Sequence, residues 1–407
     1  MENSFDAIVI GGSANGSQVA NVIASKGHKV AVIEEHPTTG LPEHCSGLFS
    51  YYGLERLDCM PPSDIIFNDD IYGSRIVSPN GKILTVKKPN KHAIVCDRAA
   101  FDRFLLDRAI QNGCEVFQPY RAVDATRKDG KVIVNIRNSD GDITQLTTSL
   151  LISAEGIRGE IATQLGIPEA SNQRLVNAAQ FYMNGLNEVD PQLVEVYQSQ
   201  QWATNFFAWV IPMSDDSAKV GLGTSNKHAS KELEKMISTH PVLKERCDGA
   251  EIRRKTAGRI PISGPIKRSY ADNLLLTGDV AGQTKPTTGG GVILGGIAAQ
   301  IAGNVASDSI KNNQFQAQHL KKYEKLWKKE IHSNLKKMQL VRNYMNRLSD
   351  NEVNQFFSRL ETKGVLKDIE ELGHVDNQGV LVKKFMRTLS LYPFYIKTSV
   401  KLIKSMI

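Results

Sequence analysis

A chain of 407 residues, 41% hydrophobic and 23% charged, has the composition of an ordinary globular protein with room for two domains, which excludes a disordered or fibrous chain. Its net charge of +7 is uneven, because Lys321–Ile407 holds 18 Lys+Arg against 9 Asp+Glu, a balance of +9, leaving −2 for the first 320 residues. The basic character belongs to the tail and no nucleic-acid-binding module accompanies it, so nucleic acid is not the expected partner.

In chain order, Ala7–Ile10 is a short apolar run, Gly11-Gly12-Ser13-Ala14-Asn15-Gly16 is a glycine turn, Gln18–Ser25 has helical spacing, and Lys29–Ile33 is a second strand ending in Glu34. This strand–helix–strand order brings backbone close to a pyrophosphate at a helix N-terminus. Glu34 lies 18 residues beyond Gly16, where a carboxylate accepts hydrogen bonds from ribose hydroxyls. Ser13 occupies the middle position of the Gly-x-Gly-x-x-Gly pattern. Ser74–Lys88 predicts a hairpin turning at Asn80-Gly81, and Lys131–Ile143 another near Asp140-Gly141. Arg98–Gly113 predicts a helix, with Phe101, Leu105, Ala109 and Ile110 on one face and Gly113 ending it. Leu150–Ala154 is a buried strand followed by Glu155-Gly156.

A second sheet follows, with Val176–Met183, Val194–Tyr197, Phe206–Pro212 and Lys219–Ser225 as antiparallel strands. Leu274–Thr277 returns to the nucleotide fold and leads through Gly278-Asp279 to Gly289-Gly290-Gly291, which open a helix. The stretch from Gly289 to Ala306 is rich in glycine and alanine and contains Gln300 and Asn304; it reads as a packed helix rather than a membrane span. The expected fold is mixed α/β. A Rossmann-type nucleotide-binding domain (residues 1–175 with 270–310) is interleaved with an antiparallel-sheet substrate domain (176–269, with 48–92 contributing), followed by a helical, basic C-terminal region (311–407).

Five cysteines (45, 59, 96, 114 and 247) form no CxxC pair and no signal segment precedes the first strand, so free thiols in a reducing cytoplasm are expected. No metal site is expected. Val380–Ile407 carries Lys383, Lys384, Arg387, Lys397, Lys401 and Lys404 without an acid, interleaved with apolar residues and broken at Pro393. That pattern suits either an interfacial helix pair on anionic lipid or an amphipathic cover with a solvated lysine face.

Five segments carry a family resemblance. Asp97-Arg98-Ala99-Ala100-Phe101-Asp102 resembles the Asp-Arg-x-x-Phe-Asp segment of the glutathione-reductase-like FAD enzymes, whose arginine approaches the cofactor phosphates. Ala154-Glu155-Gly156 resembles their Asp-Gly segment, and Gly278-Asp279 their Gly-Asp segment, whose carboxylate holds the ribityl chain. Two motifs are narrower. Pro42-Glu43-His44-Cys45-Ser46-Gly47 matches the Pro-x-x-Cys-x-Gly motif of the geranylgeranyl reductases, and Phe207-Ala208-Trp209-Val210-Ile211-Pro212 resembles their Tyr-x-Trp-x-Phe-Pro motif, with Phe207 and Ile211 as departures.

The resemblance implies FAD as cofactor, held by Gly11, Gly12, Ser13, Ala14, Gly16, Glu34, Glu35, Cys45, Gly47, Arg98, Ala154, Glu155, Gly156, Gly278, Asp279, Gly289, Gly290 and Gly291. It implies a flavin-dependent oxidoreductase acting on CH–CH groups, saturating geranylgeranyl chains of archaeal-type ether lipids or their precursors. Cys45 is then the candidate catalytic residue, as against a small buried hydrophobe, and Phe207, Trp209, Pro212 and His44 line the isoprenoid lipid. Electrons would come from NAD(P)H or a ferredoxin-like protein, and the enzyme would sit in the cytoplasm, peripheral on the membrane inner face. Two other functions stay open on these residues. One is a flavin-dependent monooxygenase or halogenase, since Phe207–Pro212 is also one residue from the Trp-x-Trp-x-Ile-Pro motif; the other is a non-catalytic prenyl-chain carrier on the same fold.

Overall fold

The computed structural model describes residues 3–360 and Asp376. Its first sheet has eight strands. Ser4–Ile10 runs at the centre, parallel to Ile143–Ser153 on one side and Val30–Ile33 on the other, with Leu274–Leu276 and Glu115–Phe117 continuing the parallel array outward. Ile10 pairs with both Ser153 and Ile33, and Ser153 pairs with Leu276. The strands therefore end on one line, and Gly11, Glu34, Ala154 and Thr277-Gly278 emerge together at the carboxyl edge of the sheet, where open α/β sheets bind their ligands.

The central strands are apolar on both faces because both are covered. Ala7, Val9 and Val32 pack under the helices Ala14–Ala24, Arg98–Gln111 and Val292–Asn312, whereas Ile8, Ile10 and Ile33 pack against Ile161, Leu165 and Val280 on the far face. Ala14–Ala24 and Val292–Asn312 approach closely, with Gly295 against Asn15, Gly296 against Gln18 and Gly303 against Val22.

The second sheet has seven strands in the order Glu251–Pro261, Leu175–Asn184, Ser217–Thr224, Ala208–Pro212, Leu193–Tyr197, Gly73–Val77, Ile83–Lys87. The four strands expected between residues 176 and 225 are present: Leu193–Tyr197, Ala208–Pro212 and Ser217–Thr224 pair antiparallel in turn, and Leu175–Asn184 pairs antiparallel with Ser217–Thr224. The hairpin turning at Asn80-Gly81 joins its edge, with Gly73–Val77 parallel to Leu193–Tyr197. Glu251–Pro261 is a strand the sequence pattern did not suggest. It is an edge strand paired on one side only, largely exposed, and carries Arg253, Arg254 and Lys255, so it shows no apolar run. A small three-stranded sheet, Leu48–Ser50, Ala93–Cys96 and Ile66–Ile71, lies between the two larger ones.

Helices Ala317–Trp327, Ser333–Met345 and Asp350–Leu360 follow, the first two linked by a π-helical turn at Lys328–His332. The Val380–Ile407 tail lies outside the described residues. Among the described residues no helix is long and apolar enough to cross a membrane, and no cluster of three or more His, Cys, Asp and Glu suits a metal ion. All five cysteines are free.

Candidate active site

The glycine turn is closed by contacts that leave no room for side chains. A Cβ at Gly16 would fall 1.9 Å from the Gly11 carbonyl oxygen, and one at Gly11, whose φ is +103°, would lie 2.4 Å from that of Ala154. Ser13 needs no such freedom: it stands at the N-terminus of the Ala14–Ala24 helix with φ −82° and ψ −174°, open to any residue. Glu34 is buried at the end of the second strand. One of its oxygens accepts from the Gly12 amide at 2.8 Å, and the other accepts from the His36 amide at 2.9 Å. The carboxylate thus sits beside the glycine turn.

The second half of the cleft is built by the turn after Leu274–Leu276. Asp279, opposite Gly291, hydrogen-bonds the Thr284 hydroxyl, and its carboxyl is raised by burial while Thr284 and Arg98 oppose that shift. Arg98 links this end to the anchor. Its Nε donates to Asp102 Oδ1 at 3.0 Å, and the same oxygen accepts from the Ala14 amide at 3.0 Å. Burial opposes the Arg98 charge, but Asp102 outweighs it, so the guanidinium is held above its ordinary value; it also lies against the Cys45 thiol. Three segments far apart in sequence, at residues 14, 45 and 98–102, therefore meet around the half-buried Arg98 guanidinium.

Cys45 is half-buried, whereas burial pushes Cys59, Cys96, Cys114 and Cys247 up to about 12. Opposite it stands one face of the seven-stranded sheet. Register aligns Trp209, Gly221 and Gln180 across three strands, and the next row aligns Ile211, Lys219 and Tyr182. The indole lies over Gly221 and donates from Nε1 to Gln180 Oε1 at 3.1 Å. Phe207 stacks on Phe206 with centroids 4.4 Å apart and meets Trp209 edge-on at 5.8 Å. Phe206 and Ile260, rather than Phe207, touch Gly289, so the aromatic wall meets the glycine run there.

Several polar groups expected at the cofactor are engaged with protein. Glu35 pairs with Arg158 at 2.7 Å and Arg121 at 3.9 Å. Glu155 accepts from the Ile161 and Ala162 amides at 2.8 and 3.0 Å and from the Ser153 hydroxyl at 2.6 Å, which caps the Glu160–Gln164 helix. His44 is exposed, its Nδ1 2.6 Å from the Ala257 carbonyl oxygen. Pro212 is buried at its strand end and its carbonyl accepts from Asn68.

Sequence reasoning passed over four residues that the structure draws into the site. Phe206 and Ile260 form the wall beside Gly289. Arg342, from the Ser333–Met345 helix, is buried and donates to the Pro286 carbonyl at 3.1 Å and to that of Thr287 while lying over the Phe206 ring. Lys219 is wholly buried within an apolar strand. Its signal was readable: Lys219, Gly221 and Gly223 alternate against Ala218, Val220 and Leu222, which marks one face as something other than core.

These residues fit FAD. The turn presents backbone without side chains at Gly11, Gly12 and Gly16, Asn15 Oδ1, beside Gly278 and Gly295, is buried without a hydrogen-bond partner, and Asp279 is only half-buried. Glu34 would hold the ribose, the turn and the N-terminus of Ala14–Ala24 the pyrophosphate, Asp279 the ribityl chain, and the N-terminus of Val292–Asn312 the electron-rich edge of the ring. When bound, the flavin supplies hydride chemistry. The chain's own contribution would be the apolar, aromatic wall, whose ring faces suit developing positive charge.

Fold and site together define an FAD-dependent oxidoreductase, and the family model for the FAD binding domain matches residues 4–297. The chain belongs to the digeranylgeranylglycerophospholipid reductase family. It is 30% identical to digeranylgeranylglycerophospholipid reductase 2 of Methanothermobacter thermautotrophicus over 361 residues, covering 88% of this chain and 92% of the relative. The corresponding reductase of Methanocaldococcus jannaschii is also 30% identical, over 87% of this chain and 90% of that one. The fold is that of a geranylgeranyl bacteriochlorophyll reductase-like protein from Thermoplasma acidophilum, with TM-score 0.84, 24% identity and full coverage of both chains. A myxobacterial chondrochloren halogenase shares the fold more distantly, with TM-score 0.67 and 18% identity over 97% of each chain.

Proposed function

We propose that the protein is an FAD-dependent reductase that saturates the C=C bonds of geranylgeranyl chains in archaeal-type isoprenoid ether lipids or their precursors. The observation that carries this reading is the junction at Gly289, where the helix N-terminus expected at the flavin ring abuts Phe206 and Ile260. An apolar wall there suits a hydrocarbon chain, and the curated relatives bear the name of that reaction. In this reading residues 1–175 with 270–310 hold FAD, 176–269 with 48–92 roof it, and Cys45, Trp209, Phe207 and Pro212 bound the space in which the alkene reacts. The two electrons come from NAD(P)H or a ferredoxin-like protein, and the basic, apolar sequence of Val380–Ile407 favours peripheral contact with an anionic membrane face.

The test is direct. Flavin-loaded protein, reduced with dithionite, is incubated with digeranylgeranylglyceryl phospholipid, and the products are weighed by mass spectrometry. Paired-hydrogen mass gains are expected; their absence, or oxygen uptake coupled to a hydroxylated or halogenated product, would overturn the reading.

A further inference from the structure

Lys219 has no exposed surface, yet nothing in the flavin cradle or the aromatic wall requires a cation there. Its Nζ donates to the Ser46 carbonyl at 2.7 Å and to the Cys96 carbonyl at 3.2 Å, and lies 3.7 Å from Glu43 Oε1. Ser46 and Glu43 belong to the loop that bears Cys45, and Cys96 ends the strand against which that loop rests. The same carboxylate accepts from the Tyr182 hydroxyl at 2.5 Å and pairs with Arg254, and the Phe67 and Tyr182 rings lie 5.1 and 5.0 Å from the ammonium. At Gly47, φ is +70° and a Cβ would fall 2.1 Å from the Cys96 carbonyl oxygen and 3.1 Å from Nζ, so the loop is drawn tight onto the strand.

A buried ion pair seldom stabilises a fold more than a well-packed apolar replacement, so stability alone does not account for this one. Its ammonium joins the segment from Glu43 to Gly47, through the Ser46 carbonyl and the Glu43 carboxylate, to the Cys96 carbonyl at the end of the neighbouring strand. Arg98 also lies close to Cys45. We infer that Lys219 is the positioning residue of the Cys45 loop, fixing Glu43–Gly47 against the Ala93–Cys96 strand so that the thiol is held at the reacting end of the cleft. The inference rests on the reductase reading for its effect on turnover, but not for its effect on the loop.

The experiment uses the flavin-loaded full chain and the variant Lys219→Met, which keeps length and removes charge and donors. FAD content is expected to stay at the wild-type level, kcat for lipid reduction to fall about tenfold or more with KM little changed, and Cys45 to be alkylated by iodoacetamide several-fold faster. The other four cysteines are buried and serve as internal controls in the mass-spectrometric readout. Unchanged kcat and labelling, or slower turnover without faster labelling, would overturn the inference. Glu43→Gln keeps the shape of the network and removes its anion; it is expected to move both readouts in the same direction. If Lys219→Met does not fold, wild-type values in Glu43→Gln overturn the inference in its place. A wild-type enzyme that reduces no geranylgeranyl lipid would refute the functional reading alone, because the labelling comparison needs no substrate and still decides the role of Lys219.

Discussion

At the residue scale, the two groups that separate cofactor binding from chemistry are Asp279 and Cys45, and they make opposite predictions. Asp279 hydrogen-bonds Thr284 and otherwise faces the cleft, so its carboxylate is the group left over for a ligand hydroxyl. Removing a charge-assisted hydrogen bond costs about 2 kcal/mol. Asp279→Ala is expected to weaken FAD retention to that extent, read as lost flavin absorbance on purification; full occupancy would show that the ribityl chain is held elsewhere. Cys45 touches Arg98 but is not needed for the glycine cradle, so Cys45→Ala should keep its flavin while slowing lipid reduction or changing how many bonds are saturated. Wild-type rate and product profile would make Cys45 a packing residue.

At the element scale, strands and turns with local chemistry were legible and those made by tertiary contacts were not. The Asn80-Gly81 hairpin, the Arg98–Gln111 helix and the central parallel strands announced themselves through turn residues or uniform apolarity. Glu251–Pro261 did not, because an exposed edge strand needs no alternation. The site was legible in the same way: Glu34 and Asp279 follow strands at fixed offsets, whereas Arg342 reaches the Pro286-Thr287 loop from a helix whose periodicity does not say which basic residue turns inward. A cap illustrates how an element carries its own pH dependence. His240 is buried before the Pro241–Arg246 helix, its Nδ1 accepts from the Leu243 amide at 3.2 Å, and burial lowers its pKa from 6.5 to about 4. Between these values the unfolded chain holds the proton more tightly, so this contribution is complete above about 6.5 and is lost as pH falls toward 4. The loss is on the order of 3 kcal/mol. His240→Asn, which keeps an acceptor and cannot titrate, should flatten urea-unfolding stability between pH 7 and 5. An unaltered slope would place the pH dependence elsewhere.

At the scale of the whole molecule, the chain leaves the nucleotide sheet after Val30–Ile33, returns at Glu115–Phe117 and stays through Ile143–Ser153, leaves again for the seven-stranded sheet and returns for Leu274–Leu276. The C-terminal helices then hold both layers. Trp327 donates to Ser269 Oγ at 2.9 Å beside the nucleotide sheet, whereas Asp350 accepts from the Ser199 hydroxyl at 2.9 Å, and Val353 and Phe357 pack on Leu84 and Val86 of the other. With so many crossings, neither layer keeps its core if the other opens, and a ligand held chiefly by the nucleotide sheet should stabilise both. At a free concentration of about 100 times Kd, FAD adds roughly 2.7 kcal/mol to the folded state. The chain has 3 tryptophans, with Trp202 in the seven-stranded-sheet layer and Trp327 beside the nucleotide sheet, so variants retaining one or the other report each layer separately. Their thermal transitions are expected to coincide without FAD and to rise together when it is added. A shift confined to Trp327 would show that the layers unfold independently and that the interleaved chain path does not couple them.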